Sequence, residues 1–249
     1  YYVEPFGGAA GVLMQKPRCY SEVYNDLNKD VVNLFRVLQD PEKNKRLQEL
    51  CSLTPYSRVE FERAYIDDTN CEIEKALKVI IKATMGFGSS GSAGDKLTGF
   101  RSDSKRKYGT ASHLWAAYPD NLAFFCERLT GVMIENKPAV DLIQKHDGEE
   151  TLFYLDPPYV HETRNSGNRV YRHEMTDFEH EKLLETILKI KGMVVISGYQ
   201  NEMYMDTLKA WSLRRKKSRI SGQKGAKTRV ECIWISPNVN DSQLELKLG

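Results

Sequence analysis

The chain has 249 residues, 36 Lys and Arg against 34 Asp and Glu, and a formal net charge of +2. Its length suits one large α/β domain, or a domain with a sizeable insertion, stable without staples. Cys19, Cys51, Cys71, Cys126 and Cys232 are odd in number and scattered with no C-x-x-C, and His113, His146, His161, His173 and His180 form no ligand pattern, which argues against a disulfide framework and a zinc site. No apolar run reaches membrane-spanning length and the N-terminus has no signal-peptide layout, so the expectation is a soluble intracellular protein without a metal.

Net charge selects no partner, but its distribution is uneven. Residues 41 to 78 are acid-rich, whereas Arg214, Arg215, Lys216, Lys217, Arg219, Lys224, Lys227 and Arg229 fall in one stretch with no acid among them. Arg101, Lys105, Arg106 and Lys107 form a second basic cluster. Each reads either as a solvated face or as a phosphate contact.

In chain order, Tyr1-Tyr2-Val3 reads as a strand already under way, which leads us to expect a segment upstream. Glu4-Pro5-Phe6-Gly7-Gly8-Ala9-Ala10-Gly11 follows as strand end, glycine turn and helix start, where a backbone can approach a ligand. A strand over Cys19 to Tyr24 ends in Asn25-Asp26-Leu27-Asn28, placing an acid where nucleotide-type α/β folds grip ribose hydroxyls. Asp26 or Asn28 also suits the N-cap of an amphipathic helix carrying Val31, Val32, Leu34, Phe35 and Leu38. From Pro41 to about Ile81 the pattern is charged and helical, with Phe61, Tyr65, Ile73, Leu77 and Ile80 facing inward.

Between Met85 and Pro119 a Gly/Ser-rich run, the basic cluster, Tyr108, His113, Trp115 and Tyr118 read as a long loop, suited to moulding on nucleic acid or to acting as a lid. A helix over Asn121 to Leu129, a strand over Gly131 to Ile134 ending in Glu135-Asn136, and a helix over Pro138 to Gln144 restore the α/β rhythm. The buried strand Leu152 to Leu155 then runs into Asp156-Pro157-Pro158-Tyr159. After a polar segment, His161 to Glu174, come a helix over Asp177 to Lys189 capped by Asp177 and a strand over Met193 to Gly198. Strands Trp211 to Ile220 and Arg229 to Ile235 close the chain around a turn over Gly222 to Thr228. About seven strands, five in crossover register, make a largely parallel sheet flanked by helices, with an antiparallel closing pair. Asp26, Glu135, Asp156 and the glycine turn then share the carboxyl edge, where ligands sit.

The tetrapeptide Asp156 to Tyr159 carries the chemistry. Pro157 lacks an N–H and pushes Asp156 out of the α region, so the turn is stiff and its carbonyls face outward. Such a turn suits an exocyclic amine on a flat ring, whose lone pair is conjugated until its N–H groups are held by acceptors favouring tetrahedral nitrogen. The Asp156 carboxylate and Pro157 carbonyl would be those acceptors, with Tyr159 a face for the ring to stack on. An ordinary Pro-Pro loop start is the structural alternative.

With these pieces in this order the chain resembles, over nearly its whole length, the Dam-type DNA adenine N6-methyltransferases of bacteria and phages. EPFGGAAGV resembles their cofactor glycine motif, EVYNDLN the ribose-binding acid, IEN the adenine-side motif, YLDPPY the catalytic motif and TRVECIWISP the closing strand. The order, glycine motif first, is that of the alpha group. The resemblance implies a seven-stranded Rossmann-like methyltransferase sheet, with a catalytic domain over 1–40 and 121–249 and a target-recognition insertion over 41–120. It implies S-adenosyl-L-methionine beside Glu4, Pro5, Phe6, Gly7, Gly8 and Gly11, its ribose at Asp26 and Leu27, its adenine flanked by Glu135 and Asn136, and its methyl group near Asp156. A target adenine would be flipped into the pocket, stacked on Tyr159 and its amine held by Asp156 and the Pro157 carbonyl, with Asp156, Pro157, Pro158 and Tyr159 together the catalytic motif.

DNA would be met by Arg101, Lys105, Arg106, Lys107, Tyr171, Lys216, Lys217, Arg219, Lys224 and Lys227, by a monomer in the cytoplasm of a bacterium or phage-infected cell. Methyl transfer would be direct displacement at the sulfonium, with no metal or covalent intermediate. The family's upstream segment, with a lysine and paired glycines, would precede Tyr1. The insertion lacks the recognition sequence of the GATC enzymes, and its Gly/Ser composition fits a short or relaxed target. The alternatives are an amine methylase acting on RNA or cytosine, which uses related tetrapeptides, and a DNA-binding relative without catalysis.

Overall fold

The structure is a computed structural model describing residues 1–66, 68–87, 97–102, 110–160, 174–222 and 225–239, the side chains of 218–222 and 225–229 excepted. In chain order the elements are β1 (Tyr2–Glu4), α1 (Gly11–Gln15), β2 (Glu22–Asn25), α2 (Lys29–Gln39), α3 (Pro41–Leu53), α4 (Arg58–Arg63), α5 (Glu72–Met85), α6 (Ala111–Leu129), β3 (Met133–Glu135), α7 (Ala139–Lys145), β4 (Leu152–Leu155), α8 (Asp177–Ile187), β5 (Met193–Tyr199), α9 (Glu202–Thr207), β6 (Ser212–Gly222) and β7 (Gly225–Ile235). The strands form one seven-stranded sheet in the order β3-β2-β1-β4-β5-β7-β6. β1 pairs in parallel with β2 and β4, and β4 with β5, whereas β7 runs antiparallel to both β5 and β6. The expected mostly parallel sheet with an antiparallel closing pair is therefore found. Among the described residues no helix is long and apolar enough to cross a membrane.

Two compact units divide the chain: Tyr1–Leu27 with Lys137–Asn168 and His173–Gly249, and Asn28–Asn136 with Arg169–Arg172. In the first, side chains alternate between the two faces of each strand with period two. Val3, Val23, Phe153, Leu155, Val194 and Ile196 point to one face and join Leu142 and Ile143 of α7 and Leu183, Leu184 and Ile187 of α8 in a buried core. By the same alternation Tyr2 and Glu4, Glu22 and Tyr24, Tyr154, and Ser197 belong to the other face, which is therefore rich in polar atoms. This second face positions the chemistry described below.

The closing pair is longer than its composition suggests. β5 stops at Tyr199, opposite Glu231, but β6 and β7 continue pairing from Lys217↔Val230 to Gly222↔Gly225. Since β7 is antiparallel to β5, this ribbon overhangs the carboxyl ends of β4 and β5. At about 3.4 Å per residue its six rungs project roughly 20 Å. The turn expected over Gly222 to Thr228 is thus largely ladder. Gly-Ala-Lys-Thr has turn composition, yet an antiparallel ribbon outside the core pairs through its backbone without needing apolar alternation.

The second unit is helical apart from β3. Asp40 caps α3, accepting from the N–H groups of Glu42 and Lys43, with Pro41 in the first turn. Of the five expected inward positions, Phe61 and Ile80 are buried while Tyr65, Ile73 and Leu77 are only half-buried. The stripe of α5 falls instead on Ala76, Val79, Ile80, Ile81 and Met85. The loop expected up to Pro119 ends earlier, because α6 begins at Ala111 and Pro119 lies inside it. Trp115 is buried there and donates its indole N–H to the Thr54 carbonyl at 2.8 Å, so Trp115 is packing. Nearer the C-terminus Thr176, not Asp177, caps α8: its side chain accepts from Glu179 N–H and Glu179 reaches back, the reciprocal box that Thr-x-x-Glu encodes.

Candidate active site

β1, β2 and β4 run parallel, so their carboxyl ends bring Glu4, Asp26 and Asp156 to one edge of the sheet. β2 spans Glu22–Asn25, shifted from the expected range because pairing with β1 starts at Tyr2↔Glu22. Asp26 is then the first residue beyond the strand. Its carboxylate accepts the Gly8 N–H at 2.9 Å, while Asn28, not Asp26, caps α2 by accepting from Asp30 N–H.

The glycine turn is built onto the end of β2. Gly7 N–H donates to the Asn25 carbonyl at 2.7 Å, and the Tyr24 hydroxyl donates to the Gly8 carbonyl at 2.7 Å. A Cβ on Gly7 would stand 2.1 Å from the Tyr24 ring, so the turn lies flat on that tyrosine only because position 7 has no side chain. Gly8 has φ +48° and Ala10, the residue before α1, φ 54°; for Ala10 this left-handed backbone is strained. A Cβ at Gly8 or Gly11 would meet nothing within 4 Å, so this rim of the turn is open. Asn25, fully buried, secures the turn from below: its amide donates to the Pro5 and Lys137 carbonyls at 2.8 and 3.0 Å, and its oxygen accepts the Lys137 N–H at 2.8 Å.

Glu4 lies buried under the turn. One carboxyl oxygen accepts from the Tyr2 hydroxyl at 2.5 Å and from the Leu13 N–H of α1 at 2.7 Å. Burial pushes this carboxyl up to about 7; the Tyr2 and Leu13 hydrogen bonds and the Lys16 ammonium oppose the rise, and Asp156 adds to it. Tyr2, Tyr24 and Tyr154 are all pushed up chiefly by burial, and so stay neutral donors on this face.

Asp156 is the exposed first residue after β4 and Pro157 is buried behind it. One oxygen of Asp156, Oδ1, accepts from Ser197 Oγ at 2.7 Å and from the Tyr159 hydroxyl at 3.2 Å. The Tyr159 ring meets the Tyr199 ring edge-on, centroids 4.4 Å apart at 61°. A carboxylate, an outward turn and a restrained aromatic ring thus lie together beside an open glycine turn, an arrangement able to hold a planar amine next to a ligand on the sheet edge.

Pro5 is buried, Phe6 is half-buried against the core and Leu27 is exposed. Glu135 ends β3 half-buried, followed by exposed Asn136. Arg101 is half-buried, its N–H bonded to the Met85 carbonyl and its carbonyl to the Tyr56 hydroxyl. Lys216 and Lys217 are exposed on β6. Lys105, Arg106, Lys107, Tyr171 and Lys224 lie outside the described residues; the Arg219 and Lys227 backbones pair in the ribbon while their side chains lie outside them. Sequence reasoning missed Tyr24, Asn25, Ser197 and Tyr199. For the last two a signal existed: the apolar strand MVVISGY turns polar only at its carboxyl end, level with Asp156.

A mostly parallel seven-stranded sheet with an antiparallel closing pair, and with a glycine turn and a DPPY turn at its carboxyl edge, is the Rossmann-like methyltransferase fold. The model of the D12 class N6 adenine-specific DNA methyltransferases matches residues 1–221, and the chain belongs to that family. No curated protein matches the chain.

Proposed function

We propose that the protein transfers a methyl group from S-adenosyl-L-methionine to N6 of an adenine flipped out of duplex DNA. The observation that carries this is the Asp156 turn: a carboxylate with one oxygen already held, beside an edge-restrained tyrosine, at the rim of the glycine turn. The chain's residues fit the cofactor. The open backbone at Gly8 and Gly11 admits close approach, Asp26 and Asp156 set carboxylates at the strand ends beside a cationic ligand, and buried Glu4 would support the turn from beneath through the Leu13 N–H. Pro5, Phe6, Gly7 and Leu27 would line its methionine and sugar, and Glu135 and Asn136 would flank its adenine. When bound, S-adenosyl-L-methionine supplies an electrophilic methyl on a sulfonium and departs as a neutral thioether.

The residues then act on the amine. Asp156 and the Pro157 carbonyl accept the two N6 hydrogens, which draws the lone pair out of conjugation with the ring and toward the methyl carbon. On methyl transfer the amine nitrogen would become positive, and the Asp156 carboxylate would stabilise that charge until the surplus proton passes to it or to solvent. Tyr159 supports the base by stacking, which offsets part of the cost of unstacking it from the duplex. On the DNA side, residues 41–120 would serve target recognition. The overhanging ribbon, with Lys216 and Lys217 at its base, suits a groove about 12 Å wide that admits a two-stranded ribbon.

The test is transfer of labelled methyl to duplex DNA by the chain and by Asp156→Ala, with the product nucleoside identified. N6-methyladenine that disappears in the variant is expected. Label on cytosine or only on RNA, or transfer that survives the substitution, would refute the reading.

A further inference from the structure

Taking Asp156 as the group that holds the target amine, we propose that Ser197 is its positioning residue. Its hydroxyl holds Oδ1 and so presents Oδ2 to the substrate. The register makes this contact. β4 and β5 are parallel with Tyr154 beside Val195 and Leu155 beside Ile196, so the next step along both strands sets Ser197 beside Asp156 on the same face. β5 is an interior strand, and Ser197, one residue past its ladder with β4, is paired with Ile233 of β7, so the serine backbone is fixed within the sheet. Asp156 lies beyond the end of β4, exposed, on a side chain whose terminal torsion is broad and roughly two-fold. Without a fixed partner its two oxygens would exchange freely.

Ser197 Oγ stands 2.7 Å from Asp156 Oδ1 and 3.1 Å from the Leu155 carbonyl. A hydroxyl has one proton, and the shorter, charged acceptor takes it. The Ser197 and Tyr159 hydroxyls thus both donate to Oδ1. Oδ2 receives no hydrogen bond among the described residues, and is the oxygen left to accept an amine N–H. Two residues along the same face of β5, Tyr199 restrains the Tyr159 ring. Ser197-x-Tyr199 accordingly holds both ends of the DPPY turn, an assignment that follows from neither residue's chemistry alone.

The whole chain, Ser197→Ala and Ser197→Thr are compared in single-turnover methyl transfer, with cofactor and DNA affinities measured separately. Loss of orientation without loss of binding lowers kcat roughly 10- to 100-fold in Ser197→Ala and leaves both affinities within about two-fold. Threonine keeps the hydroxyl and suits a strand, so Ser197→Thr recovers to within a few-fold of the parent. Unchanged kcat in Ser197→Ala, or threonine as impaired as alanine, overturns the proposal. Since Asp156→Ala is run alongside, either failure leaves the carboxylate reading intact if that variant is dead. Absence of transfer to adenine by the parent chain overturns both.

Discussion

Replacing Glu4 by glutamine tests how the polar face of the sheet is held together. Glu4 is 2% exposed and its carboxyl rises from an ordinary 4.5 to about 7, chiefly because burial disfavours its charged form. The folded state therefore prefers the protonated acid. Its contribution to stability is fully present below about 4.5 and is lost as pH rises through about 7. At about 1.4 kcal/mol per pKa unit the full loss is about 3 kcal/mol, most of it between pH 5 and 7. Glutamine keeps an oxygen to accept from the Tyr2 hydroxyl and the Leu13 N–H but does not titrate in this range. Urea-unfolding free energies of the two proteins are compared at pH 5, 6, 7 and 8, so that other titrations cancel. The gap should widen in favour of Glu4→Gln by about 2 to 3 kcal/mol from pH 5 to 8. Parallel curves would show that Glu4 is already ionised in the folded protein and refute the reasoning.

Gly7→Ala drives a Cβ into the Tyr24 ring and should cost roughly 1–3 kcal/mol, seen as a lowered Tm; an unchanged Tm would mean the ring gives way freely. Changing Lys216 and Lys217 together to glutamine should weaken DNA binding on all sequences and flatten the log K against log salt slope by roughly 0.9 per lost phosphate contact. An unchanged slope removes the base of the ribbon from the DNA face.

The elements most legible in the sequence were those whose signal is local. β4 and its DPPY turn were readable because four apolar residues stop at an acid and two prolines, and β5 because it alternates beside a helix of ordinary length. The stretch 85 to 119 was less so. Glycine and serine obscured the start of α6, and Trp115, which composition marks as an aromatic for nucleic acid, is committed to the Thr54 carbonyl inside the helical unit. The ribbon was misjudged for a related reason: turn propensity is local, whereas pairing with a partner strand is not.

By itself the sequence determined that a carboxylate, a stiff proline turn and a tyrosine follow a buried strand, and that glycines and an acid close two others, since strand period and turn chemistry act over a few residues. Which hydrogen bonds those groups make was decided only by tertiary structure. Glu4 is a buried acid because α1 folds over it, Gly7 has no room for a Cβ because Tyr24 lies beneath it, and Asp156 is held because Ser197, forty-one residues later, reaches the same level of the sheet. Register between strands distant in sequence sets those contacts, and register is a property of the assembled sheet.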